Sequence, residues 1–494
     1  MLSQFALLIL GFFSQRAMNL YMGAELVGMN GVISNVINIL SVTELGISTA
    51  IVYHLYGALA RKDEAEIASL MNLYRKAYHV FAVLVFAAGM AVLPFIHLFM
   101  KNNSYSLSYI RVLYAMWLVR TVLSYLLTYR KSLLIADQKE YIASITGLIL
   151  NVVSYLAIIL LVTWEQNYLL ALGIGTVTEV VLNIWISWYV EQKYPFLRQR
   201  RKEKSTSSLT KRIVRDLKSL FISRISEKML YCTDNLIISG FIGVGTVGRY
   251  ANYCMITQAI SNILTILANT IQPTVGDYFT EKNRQRNYEI LRQLTFGFFC
   301  IASVVSVGLF SLITPFVRDI WLGPSYELGW GITVFCIVVL LVRIMGLPLS
   351  LVMGGTGLFE KEKNVGASSA LLNLIVSLAL VKPYGMAGVL LGTLLSYLLQ
   401  ILYRYIIYFR DFLEMPGEAL RYAQDIGEYL AVIAGEVLLM QKIVPLIYGA
   451  GGMLLFCVCF LLCIAIPLLL DLVIFGRGWR LQSIVTMVKG MRKA

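Results

Sequence analysis

Residues 223–243 read SRISEKMLYCTDNLIISGFIG, a stretch long enough to cross a bilayer that carries Arg224, Glu227, Lys228 and Asp234. A charge at the middle of a membrane helix costs about 2.5–3.5 kcal/mol, so four of them facing lipid would cost on the order of 10 kcal/mol. Such groups must face water or one another. At about 100° per residue, Arg224, Glu227, Lys228, Tyr231, Asp234 and Asn235 fall on one face of a helix, opposite Ile225, Met229 and Leu236. Guanidinium and ammonium groups on one face suit phosphate oxygens, which accept charge-assisted hydrogen bonds. A carboxylate in a partly dry chamber can take up a proton or a sodium ion. Two readings fit Arg224, Glu227 and Lys228: they line a hydrated chamber, or they pair locally and reach the nearby membrane surface, holding helices together. Asp234 lies deeper and reads as chamber-lining, as does Glu44.

The same pattern recurs elsewhere. Asn30, Ser34, Asn38, Ser41, Glu44 and Ser48 share one helical face, and Gln258, Ser261, Thr265, Asn269 and Gln272 follow a three-and-four spacing that Pro273 should bend. Near the start, Gln4, Gln15 and Asn19 lie on one side, with Arg16 beside them. Most other long segments are nearly all apolar, so the stripes concentrate on four helices whose facing pairs would line one wet chamber. Arg120, Glu179 and Arg343 stand singly on apolar segments and read as structural partners as readily as functional ones.

The elements that must position these residues follow from composition. Of 494 residues, 58% are hydrophobic and 14% charged. Apolar runs of about 20 residues recur throughout, which defines an all-α, multi-pass membrane protein. The alternating segments of about 10 residues that mark a membrane β-barrel are not evident. Apolar length and polar breaks predict fourteen helices, near 2–22, 30–57, 77–99, 109–129, 142–163, 168–190, 219–241, 249–279, 293–316, 329–352, 364–381, 384–408, 426–446 and 453–473. The opening MLSQFALLILGFF lacks a basic n-region and a cleavage site, so it reads as the first membrane helix. All seven cysteines fall in apolar spans without a CxxC or Cys/His cluster, so no disulfide framework or metal site is expected.

Charge sets the orientation. Alternate connections, among them RKDEAEIASLMNLYRK and EQKYPFLRQRRKEKSTSSLTKRIVRDLK, together carry 31 of the 42 Lys and Arg. The positive-inside rule places that side, and both termini, in the cytoplasm. A basic excess sorted by loop side accounts for the net charge of +14 without nucleic acid as a partner. The amphipathic IASLMNLYRKAY and the tail LQSIVTMVKGMRK are expected to lie along the cytoplasmic face, against anionic membrane lipids.

An internal duplication organises the chain. YMGAELVG at 21–28 aligns with FIGVGTVG at 241–248, an offset of 220, and LILNVVSYLAI aligns with ALLNLIVSLAL at 222. The register predicts two pseudo-symmetric six-helix lobes, residues 1–190 and 219–408, joined by a basic linker at 191–218 and followed by a C-terminal helix pair and tail at 409–494. An even helix number per lobe puts the pseudo-symmetry axis along the membrane normal, with a substrate cavity expected between the lobes.

Residues 21–78, from YMGAELVGMNGVISNVINIL to MNLYRKAY, resemble the N-terminal part of bacterial polysaccharide-export proteins. These are the O-antigen-type oligosaccharide flippases of the multidrug/oligosaccharidyl-lipid/polysaccharide exporter superfamily. The resemblance implies alternating access in the bacterial cytoplasmic membrane, moving a polyprenyl-diphosphate-linked oligosaccharide from the inner to the outer leaflet. It implies no enzyme activity and no cofactor beyond a coupling proton or sodium ion. Relatives hold the diphosphate with cations on helices 1, 2, 7 and 8; the positions here that fit are Arg16, Arg224 and Lys228, with His54, Arg249 and Glu227 as weaker candidates. Asn19, Asn38, Gln258 and Asn269 would meet the glycan, and Glu44 and Asp234 would serve coupling. Glycan polymerases or glycosyltransferases are the implied partners. Such proteins usually carry a short basic tail before the first helix, and this chain starts almost within it. A drug or metabolite antiporter of the same superfamily and a peptidoglycan-precursor flippase are the alternative functions. An integral-membrane enzyme is disfavoured, because outer connections are short and no nucleophile constellation appears; GGTG at 354–357 lacks the lysine of a phosphate loop.

Overall fold

Short polar residues mark where the helices begin. Asp63, Ser106, Asn167 and Asn283 each accept a hydrogen bond from the backbone N–H three residues on, at 2.9, 3.3, 3.2 and 3.2 Å, and so cap the helices that follow. The computed structural model describes residues 2–41, 47–198, 228, 232–279, 283–356, 358–449 and 451–476. Among them the regular structure is entirely helical: α1 Leu2–Leu40, α2 Ile47–Ala60, α3 Glu64–Val92, α4 Leu107–Thr128, α5 Lys131–Ala136, α6 Glu140–Trp164, α7 Tyr168–Lys193, α8 at 232–241, α9 Val244–Tyr278, α10 Arg284–Pro315, α11 Trp330–Gly355, α12 Phe359–Tyr384, α13 Met386–Ile406, α14 Pro416–Tyr448 and α15 Met453–Phe475. Eleven of these helices are long and apolar enough to cross a membrane.

The remaining expected spans fall on α1, α2 and α8. α1 is two helices joined at Gly23, whose φ of 82° and ψ of 166° break the helix where the first span was expected to end. Glycine reaches that backbone region without the Cβ clash other residues meet. Several helices start well before their apolar segments. α3 begins at Glu64 and α10 at Arg284, so stretches expected as connections or surface helices are first turns of membrane helices. The reason is amphipathicity: Ile67, Leu70, Met71 and Tyr74 bury one face of the α3 extension, and Asn287, Tyr288 and Leu291 one face of that of α10. Large apolar side chains such as Val83, Ile149, Leu371 and Leu446 lie exposed on the protein surface, as lipid-facing residues must.

The chain divides into two compact units, Met1–Gly248 and Arg249–Ala494. In the first, α4 packs on α3 and α7, and Tyr114 donates from its hydroxyl to the Gly89 carbonyl at 3.0 Å. In the second, α10 is central, with α11, α14 and α15 against it. Its aromatic cluster includes Tyr288, Tyr408, Phe409 and Tyr422, and Arg292 makes a two-pronged ion pair with Asp425 at 2.6 and 3.0 Å.

Candidate functional site

The first unit contains a polar cavity of about 310 Å³. Three-and-four spacing builds two of its walls. Past the break at Gly23, α1 presents Ser34 and Asn38, with Ser41 just beyond its end; α4 presents Trp117, Arg120, Thr121 and Ser124; Glu179 on α7 and Lys228 are also in the lining. Trp117 donates from Nε1 to Asn30 Oδ1 at 2.7 Å, which ties α4 to the polar face of α1. Arg120 Nε donates to Glu179 Oε2 at 2.6 Å, and its guanidinium lies 5.2 Å from the centroid of the Trp117 ring. Both members of that ion pair keep about 30% side-chain exposure, at 29% and 31%, so the pair faces the cavity and is screened by water. Lys228 makes no ion pair among the described residues and lines the cavity beside amide and hydroxyl groups. A cavity so lined can accept an anionic, hydrogen-bonding solute.

The structure brings only part of the expected set together. Lys228 and Asn38 share the cavity, with Asn38 Nδ2 at 3.5 Å from Ser34 Oγ. Arg16 is exposed on α1, whereas Asn19 is buried and donates to the Gln15 carbonyl of its own helix at 2.8 Å. Asp234 is buried on α8. His54 sits on α2 with its ring against Tyr53, at 5.7 Å between centroids. On α9, Arg249 and Gln258 are half-buried and Asn269 is exposed; the hydroxyls of Ser261 and Thr265 bond carbonyls one turn back, at 2.9 and 2.8 Å, so part of that stripe is absorbed by its own backbone. Arg224, Glu227 and Glu44 lie outside the described residues.

Sequence reasoning missed Trp117, Thr121 and Ser124, and it read Arg120 and Glu179 as structural partners as readily as functional residues without naming them as each other's partner. The signal was present in WLVRTVLS, whose polar positions follow helical spacing, but the partnership with Glu179 spans 59 residues and two helices.

At the Gly23 end of α1 the backbones come into contact. A Cβ added to Gly28 would lie 1.9 Å from the Val244 carbonyl oxygen, and one added to Gly248 would lie 1.8 Å from that of Ala24. The two contacts are reciprocal under the offset of 220 that relates YMGAELVG to FIGVGTVG. Lys101 Nζ donates to the Phe241 carbonyl at 2.7 Å and Asn102 Nδ2 to that of Ile242 at 3.0 Å; Glu25 accepts from the Ser104 N–H at 3.0 Å. The backbones approach so closely here that only glycine fits at 28 and 248.

The second unit has a cavity of about 340 Å³ with an apolar lining, including Ile256, Ile260, Leu312, Phe456 and Phe460. Between α12 and α13 it also buries a hydrogen-bonded cluster: Asn373 Nδ2 donates to Thr393 Oγ1 at 2.9 Å, and Ser396 Oγ to the Ser369 carbonyl at 2.8 Å. Among the described residues no group of three or more His, Cys, Asp or Glu could hold a metal ion.

A multi-pass helical membrane protein with a polar cavity in an apolar body is the class that these features define. Solved structures of similar fold belong to the same class. The lipid II flippase MurJ in an inward closed conformation has a TM-score of 0.68 and 16% identity, over 96% of this chain and 98% of that one. An inward-facing multidrug resistance MATE family transporter of the MOP superfamily has a TM-score of 0.63 and 14% identity, over 83% of this chain and 96% of that one. A MOP superfamily transporter from Pyrococcus furiosus, described as having a binding pocket of reverse polarity, gives a TM-score of 0.53 at 14% identity, over 83% and 95% of the two chains. No curated protein matches the chain. The family model of polysaccharide biosynthesis proteins matches residues 1–279, and the chain belongs to that family.

Proposed function

We propose that this chain is a flippase that moves a polyprenyl-diphosphate-linked oligosaccharide from the inner to the outer leaflet of the bacterial cytoplasmic membrane by alternating access. The observation that carries the reading is Lys228, which has no ion-pair partner among the described residues, in a cavity lined by Ser34, Asn38, Thr121 and Ser124 within a body of apolar helices. An ammonium suits a diphosphate, and amides and hydroxyls suit sugar hydroxyls. Arg224 and Arg16 are proposed to share the diphosphate during entry and exit, while the prenyl tail remains in hydrocarbon at roughly 0.8 kcal/mol per buried CH2.

Membership of a polysaccharide biosynthesis family supports this substrate class, and the MurJ-like fold supports flipping in place of chemistry. An inside-negative potential favours outward movement of the phosphates by about 2.3 kcal/mol per charge per 100 mV. Glu44 and Asp234 are the proposed coupling carboxylates. Both termini are proposed to be cytoplasmic, and glycosyltransferases and a polymerase are the proposed partners.

The test is export in cells and flipping of a fluorescent polyprenyl-diphosphate oligosaccharide in proteoliposomes. Alanine at Lys228 should stop both while the protein inserts at wild-type levels. Unchanged flipping would overturn the assignment, and ethidium efflux without glycan flipping would favour a drug antiporter.

A further inference from the structure

The second unit contains two buried acids that the proposed transport path does not use. Glu436 on α14 and Asp471 on α15 are 3% and 4% exposed, and both face Ser303 on α10, which is fully buried. Ser303 Oγ donates to Glu436 Oε2 at 2.6 Å. Glu436 Oε1 and both carboxylate oxygens of Asp471 have no hydrogen-bond partner among the described residues. Among the described residues, the charged group that acts on Asp471 is Glu436, another acid. Around them α10 presents Cys300, α14 presents Tyr429 two turns away, and α15 presents Cys463 two turns away. No cation pairs with either acid among the described residues.

The same helices show how a charge is normally satisfied here. Eleven residues earlier on both α10 and α14, about 16 Å along the axis, Arg292 holds Asp425 with two hydrogen bonds. Two carboxylates left ionised at the Ser303 level would carry desolvation of several kcal/mol each, with mutual repulsion added and one hydroxyl to offset them. At least one of the two must therefore carry a proton or sit beside a cation. A metal ion would require more ligands than this pair provides, and no third His, Cys, Asp or Glu joins it among the described residues. A proton requires only the two carboxyl groups.

We propose that Glu436, Asp471 and Ser303 form an intramembrane proton-binding site, occupied at neutral pH, which ties the C-terminal helix pair α14 and α15 to α10. The proton lies between the carboxyl groups, and Ser303 fixes Glu436 so that its other oxygen faces Asp471. Occupancy of the site does not depend on what the chain transports, so flipping activity is not the readout.

The experiment uses the purified full chain in detergent micelles. Infrared difference spectra between about pH 6 and about pH 9 should show a protonated carboxyl carbonyl band that changes in frequency or amplitude in Glu436→Gln and in Asp471→Asn and disappears in the double variant. Over the same range the wild-type melting temperature should fall by several degrees, whereas the double variant E436Q/D471N should stay level, because its amides need no proton. Ser303→Ala, which keeps both acids, should retain the band and shift its frequency. A band unchanged in both single variants, or the same melting slope in wild type and double variant, would overturn the site. Stabilisation of wild type by sodium chloride over choline chloride, absent in D471N and without a pH effect, would assign the site to sodium and overturn the proton.

Discussion

The two units contain cavities of nearly equal size, about 310 and 340 Å³, with opposite linings. In the first, Ser34, Asn38, Arg120 and Glu179 keep their polar atoms at the cavity wall; in the second, Gly308, Leu312, Phe456 and Phe460 present only hydrocarbon. Their ion pairs differ in the same way. Arg120 and Glu179 remain about one-third exposed, whereas Asp425 keeps 8% of its side-chain surface beside Arg292. Volume alone therefore says little about what a cavity can hold. Charge that stays hydrated is available to a solute, and charge that is buried serves the packing of helices.

That contrast can be broken or sharpened by substitution. Asp425→Ala, which removes the buried partner of the two-pronged Arg292 pair, should have the largest effect, destabilising the protein by about 3 kcal/mol in thermal unfolding. Lys228→Glu should lower export about a hundredfold by placing a carboxylate where a phosphate must lie, with Lys228→Arg retaining most of it. Glu179→Ala should cost about 1–2 kcal/mol, less than Asp425→Ala because water already screens Arg120, and the double variant R120M/E179L should recover most of the loss. Gly308→Phe fills the apolar cavity at a position where an added Cβ meets nothing within 4 Å. Export should then remain within about twofold, since this lining offers no polar group to a sugar or phosphate. An export loss with Gly308→Phe equal to that with Lys228→Glu would erase the functional distinction between the cavities.

The smallest effect concerns a polar cluster outside the spans. Burial tends to raise the Asp137 carboxyl, but hydrogen bonds from Lys139 and Tyr194 outweigh it and hold the group below its usual range. The stabilisation is therefore present above about pH 4 and is lost as pH falls through the folded value. Asp137→Asn should lower the melting temperature slightly at pH 7, by less than about 1 kcal/mol in stability, and the gap should close in acid.

Much of this architecture was legible because membrane helices declare themselves by length and polarity. The polar face of α1 through Asn30, Ser34 and Asn38 was readable from spacing, and so was the break near residue 22. The early starts of α3 and α10 were not, because their first turns carry charges and become helical only by burying an amphipathic face. Asn19 showed the limit of stripe reading: it lies on the expected face yet donates to its own backbone. Arg120 and Glu179 showed the opposite limit, since neither residue names its partner in the sequence.

The sequence by itself determined that this is a multi-pass helical membrane protein with an internal repeat and polar stripes on particular helices, because apolar length and period are local properties. Only the tertiary structure decided that Gly28 and Gly248 meet reciprocally, that Arg120 pairs with Glu179, and that Glu436 and Asp471 lie together at Ser303. Those outcomes depend on which faces of distant helices pack together. In an apolar medium, that packing decides whether a charge is satisfied, hydrated or left in need of a proton.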